Sequence, residues 1–256
     1  MGAFADIEAV LFDLGGTLAH YPVPSLPVIV GRCAEGLLRG VLVGADGRSP
    51  PAAAVPGPQE AQARRRAPQP DSPLPHRAAA AIRRIVRSLS GRTLPNMGEM
   101  CARHLMANAS LFDDSLPTLR ALRHRGYRLG LVSNTPWGTP DYLWVGQLER
   151  FALAPLFDAA CFSSDVGFRK PDARIFQAAL ERLRAPVRHA MFVGDDPAAD
   201  VAGAATMGIR TVLIARDGRT PDQNCPTPDL RIETLTELLD HLPGTHKTVD
   251  TSTCPA

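Results

Sequence analysis

Two kinds of apolar patterning alternate along this chain. Short, nearly unbroken runs such as "AVLFD" (9–13), "RLGLVSN" (128–134), "AMFVGDD" (190–196) and "RTVLIAR" (210–216) are the first kind. Runs of four or five apolar residues without a polar face predict strands buried on both sides, as in a parallel sheet whose crossovers are helices. The second kind has apolar residues returning every three or four positions, and it supplies those helices. In "DDSLPTLRALRHRG" (113–126), Asp114 or Ser115 can cap, Pro117 is acceptable in the first turn, and Leu116, Leu119 and Leu122 share a face before Gly126 ends the helix. The same spacing predicts a helix over about 172–184 with Ile175, Phe176, Ala179, Leu180 and Leu183 inward. Thr234 and Glu237 form a capping box for a last helix carrying Leu235, Leu238, Leu239 and Leu242.

The alternation belongs to residues 1–18 and 112–245, which read as a Rossmann-like α/β core with a parallel sheet. Residues 19–111 interrupt it and are too long for a loop, so they read as an inserted, mostly helical cap. Within it, 28–43 and 76–90 have helical spacing, whereas 48–75 is dense in Pro, Ala, Gln and Arg and lacks the large apolar residues needed to offset ordering entropy. That stretch is expected to be flexible, as is the tail 246–256. No internal repeat is apparent.

Composition narrows the function. With 256 residues, 45% of them hydrophobic, and a net charge of +2, the chain can bury a full core and carries no global field that would select nucleic acid or membrane as its main partner. Residues 60–92 are locally basic, with eight arginines against two acids, a pattern better suited to a solvated helix face and a mobile arm than to nucleic-acid binding. Cysteines at 33, 101, 161, 225 and 254 are odd in number and form no CxxC pair, which argues against a disulfide framework or a zinc site and fits the cytoplasm. Asp6, Glu8 and Asp13 interrupt the N-terminal region where a signal peptide would be basic and then apolar, and no run of about 18 apolar residues occurs, so no membrane association is expected.

Candidate chemistry gathers in four stretches at or near the carboxyl ends of predicted core strands, where ligand sites of open α/β sheets form. They are "FDLGGT" (Asp13, Thr17), "LVSNT" (Ser133, Asn134), "GFRKPD" (Lys170) and "FVGDDPAAD" (Asp195, Asp196, Asp200). Singly, each has a plainer reading: Asp13 as a strand-end turn residue, Ser133 and Asn134 as loop residues, Lys170 as a solvated loop lysine, Asp195 and Asp196 as a helix cap. Trp137, Tyr142 and Trp144, just after the second stretch, read as packing residues. Four stretches in this order on these elements make coincidence a poor account.

In this order they resemble the haloacid dehalogenase-like hydrolase superfamily, in a member whose cap lies between the first and second motifs. The resemblance covers nearly the whole core, including "FDAACFSSDVGFRKPDARIFQAAL" and "DVAGAATMGIRTVLI". It implies phosphoryl transfer to Asp13, with an aspartyl-phosphate dividing a difficult hydrolysis into two easier steps. An anion attacking an anion needs neutralising charge, and carboxylates holding Mg²⁺ would supply it. The ligands implied are Asp13, the carbonyl of Gly15 and Asp195, with Asp196 and Asp200 as further ligands or supports. Thr17 and Ser133 would hydrogen-bond the phosphoryl oxygens, Lys170 would offset shared negative charge, and Asn134 would shape the same loop. The substrate implied is a small phosphorylated metabolite.

Gly15 departs from the family's usual pattern, in which an aspartate at this position protonates the leaving alcohol and later activates water. A glycine keeps the carbonyl and loses the proton shuttle, assistance typically worth about 10²–10⁴ in rate. Three outcomes follow: a substrate with a good leaving group, a donor from elsewhere such as His20 or a cap residue, or a slow or non-catalytic relative that binds a phosphorylated ligand or partner. Dehalogenases of the superfamily also lack this aspartate, but they work without metal and without the acidic fourth motif, so "GDDPAAD" favours phosphate over halide.

Overall fold

The computed structural model describes residues 4–22, 99, 102–136, 139–216 and 226–244. The helices expected at 28–43 and 76–90, the stretch 48–75, the tail 246–256 and Trp137 lie outside the described residues. Two compact units divide the chain, Met1–Tyr21 with Ala109–Ala256, and Pro22–Asn108.

In the first unit the apolar runs form strands β1 (Ala9–Phe12), β4 (Arg128–Ser133), β6 (Ala190–Gly194) and β7 (Arg210–Ile214). A two-residue ladder, β2 (Ala19–His20) against β3 (Ser110–Leu111), follows the first motif. Two further strands, β5 (Ala159–Phe162) and β8 (Leu230–Ile232), complete a six-stranded parallel sheet in the order β5-β4-β1-β6-β7-β8. The chain runs outward from β1 through β4 to β5, then returns to β6 on the other side of β1. This reversal opens a crevice beyond the carboxyl end of β1, the usual ligand position in such sheets.

Helices α1 (Ser115–His124), α2 (Asp141–Arg150), α3 (Ser163–Val166) and α4 (Ala173–Leu183) supply most of the crossovers. Helix α4 buries the five predicted residues, Ile175, Phe176, Ala179, Leu180 and Leu183, against Leu11, Val132 and Phe192 of the sheet. Each large apolar side chain buried there contributes about 1.5–3 kcal/mol. Phe176 meets Phe192 edge to face, with centroids 5.0 Å apart. The capping box at Thr234 and Glu237 is present; it opens a turn at Leu235–Glu237 that continues into Leu238–His241.

Asp114 differs from the expectation. It stands at the N-cap position of α1, but its side chain makes no cap hydrogen bond. Instead it accepts from Arg216 Nη1 and Nη2 at 3.0 and 2.9 Å and from the Leu235 amide at 2.8 Å. A charge-assisted, bidentate partner outcompetes a local backbone donor. Arg216 also stacks on Phe112, 3.8 Å from the ring centroid, and donates to the carbonyl of Thr17 at 2.7 Å. The loop after β1 is thereby fastened from behind, with Ser115 Oγ donating to the Leu18 carbonyl at 2.7 Å.

Candidate active site

Because the strands are parallel, the residues that follow them emerge along one edge. Asp13 follows β1, Asn134 follows β4, and Asp195 follows β6. The Asp13 amide continues the sheet by donating to the Val193 carbonyl at 2.9 Å, and this carries the carboxylate beyond the last strand pair. Asp13 and Ser133, the last residue of β4, are both buried.

Lys170 arrives from the loop between α3 and α4, and Asn134 sets its position. The Asn134 side chain accepts from the Lys170 amide at 2.9 Å and donates to the Lys170 carbonyl at 3.1 Å, so one amide grips both polar groups of one residue. The buried ammonium then lies 2.6 Å from Asp13 Oδ1 and 2.7 Å from Asp200 Oδ1, the second contact an ion pair off the hydrogen-bond direction. Burial works against its charge, but the two carboxylates outweigh that and hold the amine above the ordinary lysine value.

Pro197–Ala202, wound more widely than an α-helix, presents the acids of the fourth motif in opposite directions. Asp196 caps the segment, its Oδ1 accepting from the amides of Ala198 and Ala199 at 2.8 and 3.0 Å. Asp200 turns inward, is buried, and accepts from the Asp196 amide at 3.1 Å. Asp195 closes the group: Asp13, Asp195 and Asp200 each offer a carboxylate oxygen, all within 4.8 Å of one another. Although Asp195 reaches solvent, the protein around its carboxyl withdraws water from it, and the charges of Asp13 and Asp200 add to the effect, raising its pKa to about 7. Burial likewise holds the Asp200 carboxyl above the usual aspartate range, against the pull of Lys170. An all-oxygen, anionic donor set of this kind fits a hard divalent cation.

Thr17 is fully buried, and its hydroxyl lies 3.4 Å from Asp195 Oδ1. Asp196 is therefore the one acid named from the sequence that faces away from the group. His20 is exposed and tilts toward Phe112, with ring centroids 6.2 Å apart. Trp144 is buried with its indole N–H on Thr139 Oγ1 at 3.0 Å, whereas Tyr142 is exposed. Sequence reasoning missed Arg216, which holds the Thr17 carbonyl from 199 positions away. It also missed Tyr21, whose ring covers Gly15; the only signal for it was an aromatic residue soon after the first motif.

Two glycines make room for the acids. A Cβ on Gly16, which has φ +86°, would lie 2.1 Å from Asp195 Oδ2, and a Cβ on Gly194 would lie 2.2 Å from Asp200 Oδ2. Gly194 has ordinary strand backbone, so Gly194→Ala tests the approach without backbone strain. The variant is expected to lose about 1–3 kcal/mol through overpacking. That corresponds to a melting temperature lower by roughly 2–10 °C. An unchanged melt would mean that the Asp200 carboxylate moves aside freely. Gly15 is different: its φ is not positive, and a Cβ there would only touch the Tyr21 ring at 3.4 Å.

The parallel sheet carries an acidic site with one buried lysine at the carboxyl ends of its strands, and comparison with known proteins identifies the family. The family model of the haloacid dehalogenase-like hydrolases matches residues 7–208, and the chain belongs to this family. It is 37% identical over 128 residues to phosphoserine phosphatase of Thermus thermophilus, covering 50% of this chain and 49% of that protein. It is 31% identical over 214 residues to phosphoglycolate phosphatase of Rhodospirillum rubrum, covering 81% of this chain and 79% of that protein. The chain spans 49%, 55% and 44% of the length of the first curated relatives it matches. Among solved structures, the HAD phosphatase of Thermococcus onnurineus superposes with a TM-score of 0.60 at 26% identity, covering 93% of this chain and 99% of that chain. Among the described residues, no helix is long and apolar enough to cross a membrane.

Proposed function

We propose that the chain is a Mg²⁺-dependent phosphatase of a small phosphorylated metabolite, acting in the cytoplasm through an aspartyl-phosphate on Asp13, with neither nucleic acid nor membrane as partner. The observation that carries this reading is the placement of Lys170 between Asp13 and Asp200, with Asp195 in the same group. The Asp13 carboxylate attacks phosphorus while Lys170 offsets the charge that nucleophile and phosphoryl group share. Thr17 and Ser133 hydrogen-bond the phosphoryl oxygens, and Asn134 keeps Lys170 in place. Asp13, Asp195 and the Gly15 carbonyl would hold Mg²⁺, with Asp200 in support; bound there, the ion neutralises negative charge between two anions. The Asp196 carboxylate serves the helix cap instead. Three clustered acids also favour phosphate over a 2-haloacid, and the phosphatases named above support the same choice.

The test is phosphate release from sugar, nucleotide, acyl and simple alkyl phosphates, each with Mg²⁺ and with chelator. Mg²⁺-dependent release from at least one supports the reading. A second reading, a slow or non-catalytic protein that binds a phosphorylated ligand or partner, draws on the bare backbone at Gly15; tight binding of one ester without turnover would favour it.

The Asp195 pKa of about 7 gives a pH signature. A carboxyl raised above its unfolded value stabilises the metal-free fold when protonated. That contribution is fully present below about pH 4 and is lost as pH rises through about 7. The same proton competes with metal, so Mg²⁺ affinity is expected to fall roughly tenfold per pH unit below 7. Thermal melts with Mg²⁺ and with chelator should therefore separate widely at pH 8 and little at pH 5.5. Equal separation at both would show that no proton is displaced.

A further inference from the structure

We propose, resting on the phosphatase reading, that Tyr21 is a catalytic residue whose hydroxyl donates a hydrogen bond to the substrate oxygen that leaves phosphorus. Tyr21 directly follows β2, whose last residue, His20, is exposed, and its ring edge covers Gly15, with Cδ2 at 3.4 Å and Cε2 at 3.7 Å from the position a Cβ would take. The ring also lies 6.0 Å from that of Trp144, at an interplanar angle of 56°.

Among the described residues the buried hydroxyl has no well-aligned hydrogen-bond partner; the Gln147 side chain beside it offers only a weak one, the smallest of the influences on the phenol. Leaving a buried hydroxyl unsatisfied costs about 1–3 kcal/mol, and a phenylalanine would pack here without that penalty. A partner from outside the chain accounts for the oxygen, and the surroundings indicate which. The ring edge lies over Gly15, two residues from Asp13, and the phenol feels the negative charge of Asp13 and, more weakly, the positive charge of Arg150. Burial first, and Asp13 second, raise its pKa, so the group stays a donor across the ordinary pH range.

Chemistry assigns the acceptor. When Asp13 attacks, the Asp13 Oδ–P bond forms, the bond from P to the ester oxygen breaks, and its electron pair stays on that oxygen. Lys170 is held between two carboxylates, and Gly15 offers no side chain to meet the new charge. A hydrogen bond from Tyr21 strengthens as this charge builds and so stabilises the transition state more than the bound ester. Tyr21 keeps its proton, and the departing alkoxide takes one from solvent water.

The test is Tyr21→Phe, which removes one oxygen and keeps the ring. With Mg²⁺ present, kcat/KM is expected to fall about 10–100-fold for simple alkyl phosphates, the worth of a hydrogen bond to a charged group. For acetyl phosphate and p-nitrophenyl phosphate, whose leaving oxygens carry little charge, the fall should stay under about threefold. The melting temperature should equal or exceed that of the parent. An equal fall on both substrate classes, no fall on either, or a lowered melting temperature with uniform loss would overturn the assignment. A parent protein that releases phosphate from none of these esters would overturn the phosphatase reading itself, and this inference with it.

Discussion

Asp13→Asn folds with a melting temperature close to the parent and turns over phosphate esters at least about 10⁴ times more slowly, the scale on which removing a nucleophile acts. The exchange is nearly isosteric, so the Val193 carbonyl keeps its partner in the residue 13 amide and Lys170 keeps Asp200. What goes is the attacking charge. Its removal also relieves Asp195, whose pKa is raised in part by Asp13, and that carboxyl should move back toward the ordinary aspartate value. Phosphate release on the most active ester and a thermal melt check the two halves of this expectation. More than a trace of retained activity would mean that another group attacks phosphorus.

Lys170→Met acts on both stability and turnover. Methionine matches much of the volume but leaves Asp13 and Asp200 facing each other in a buried site. Breaking a buried ion pair by removing one partner costs about 3–5 kcal/mol. For a domain of this size that lowers the melting temperature by roughly 6–15 °C, with the deficit smaller at acidic pH, where the carboxyls take up protons. Turnover should fall at least about a hundredfold, because the charge shared by nucleophile and phosphoryl group is no longer offset. A variant as stable as the parent at pH 8 would show that the carboxylates do not depend on the ammonium.

Most of the core was legible because its signals are local. Apolar runs of four or five residues marked β1, β4, β6 and β7, and the helical spacing of α4 named all five residues it buries. Strands β5 and β8 and the β2–β3 ladder were not legible. Strand β8 and the ladder span three and two residues, too few for a pattern, and β5, as long as β1, is half-exposed and opens on two alanines rather than a run of large apolar residues; they are strands because a neighbour pairs with them. The same division runs through the site. Acids at strand ends can be listed from the sequence, but whether a carboxylate joins the group or caps a helix depends on how a chain segment is wound. Asp200 and Asp196, four positions apart, ended on opposite sides of that choice. Tyr21 over Gly15 and Arg216 on Thr17 depend on tertiary placement alone.

The position of β1 in the sheet bears on how the protein is made. Ala9 pairs with Arg128 on one side and with Ala190 on the other, so the central strand waits for both halves of the core. At about 5–20 residues per second, the ribosome needs roughly ten to thirty-five seconds between the two ends of that pairing. During this interval β1, β4 and β5 can pair while the edge of β1 meant for β6 stays open and invites wrong partners. Asp13 is thus among the first residues translated and among the last to acquire surroundings. A nascent chain interrupted before Gly194 holds its nucleophile without a site.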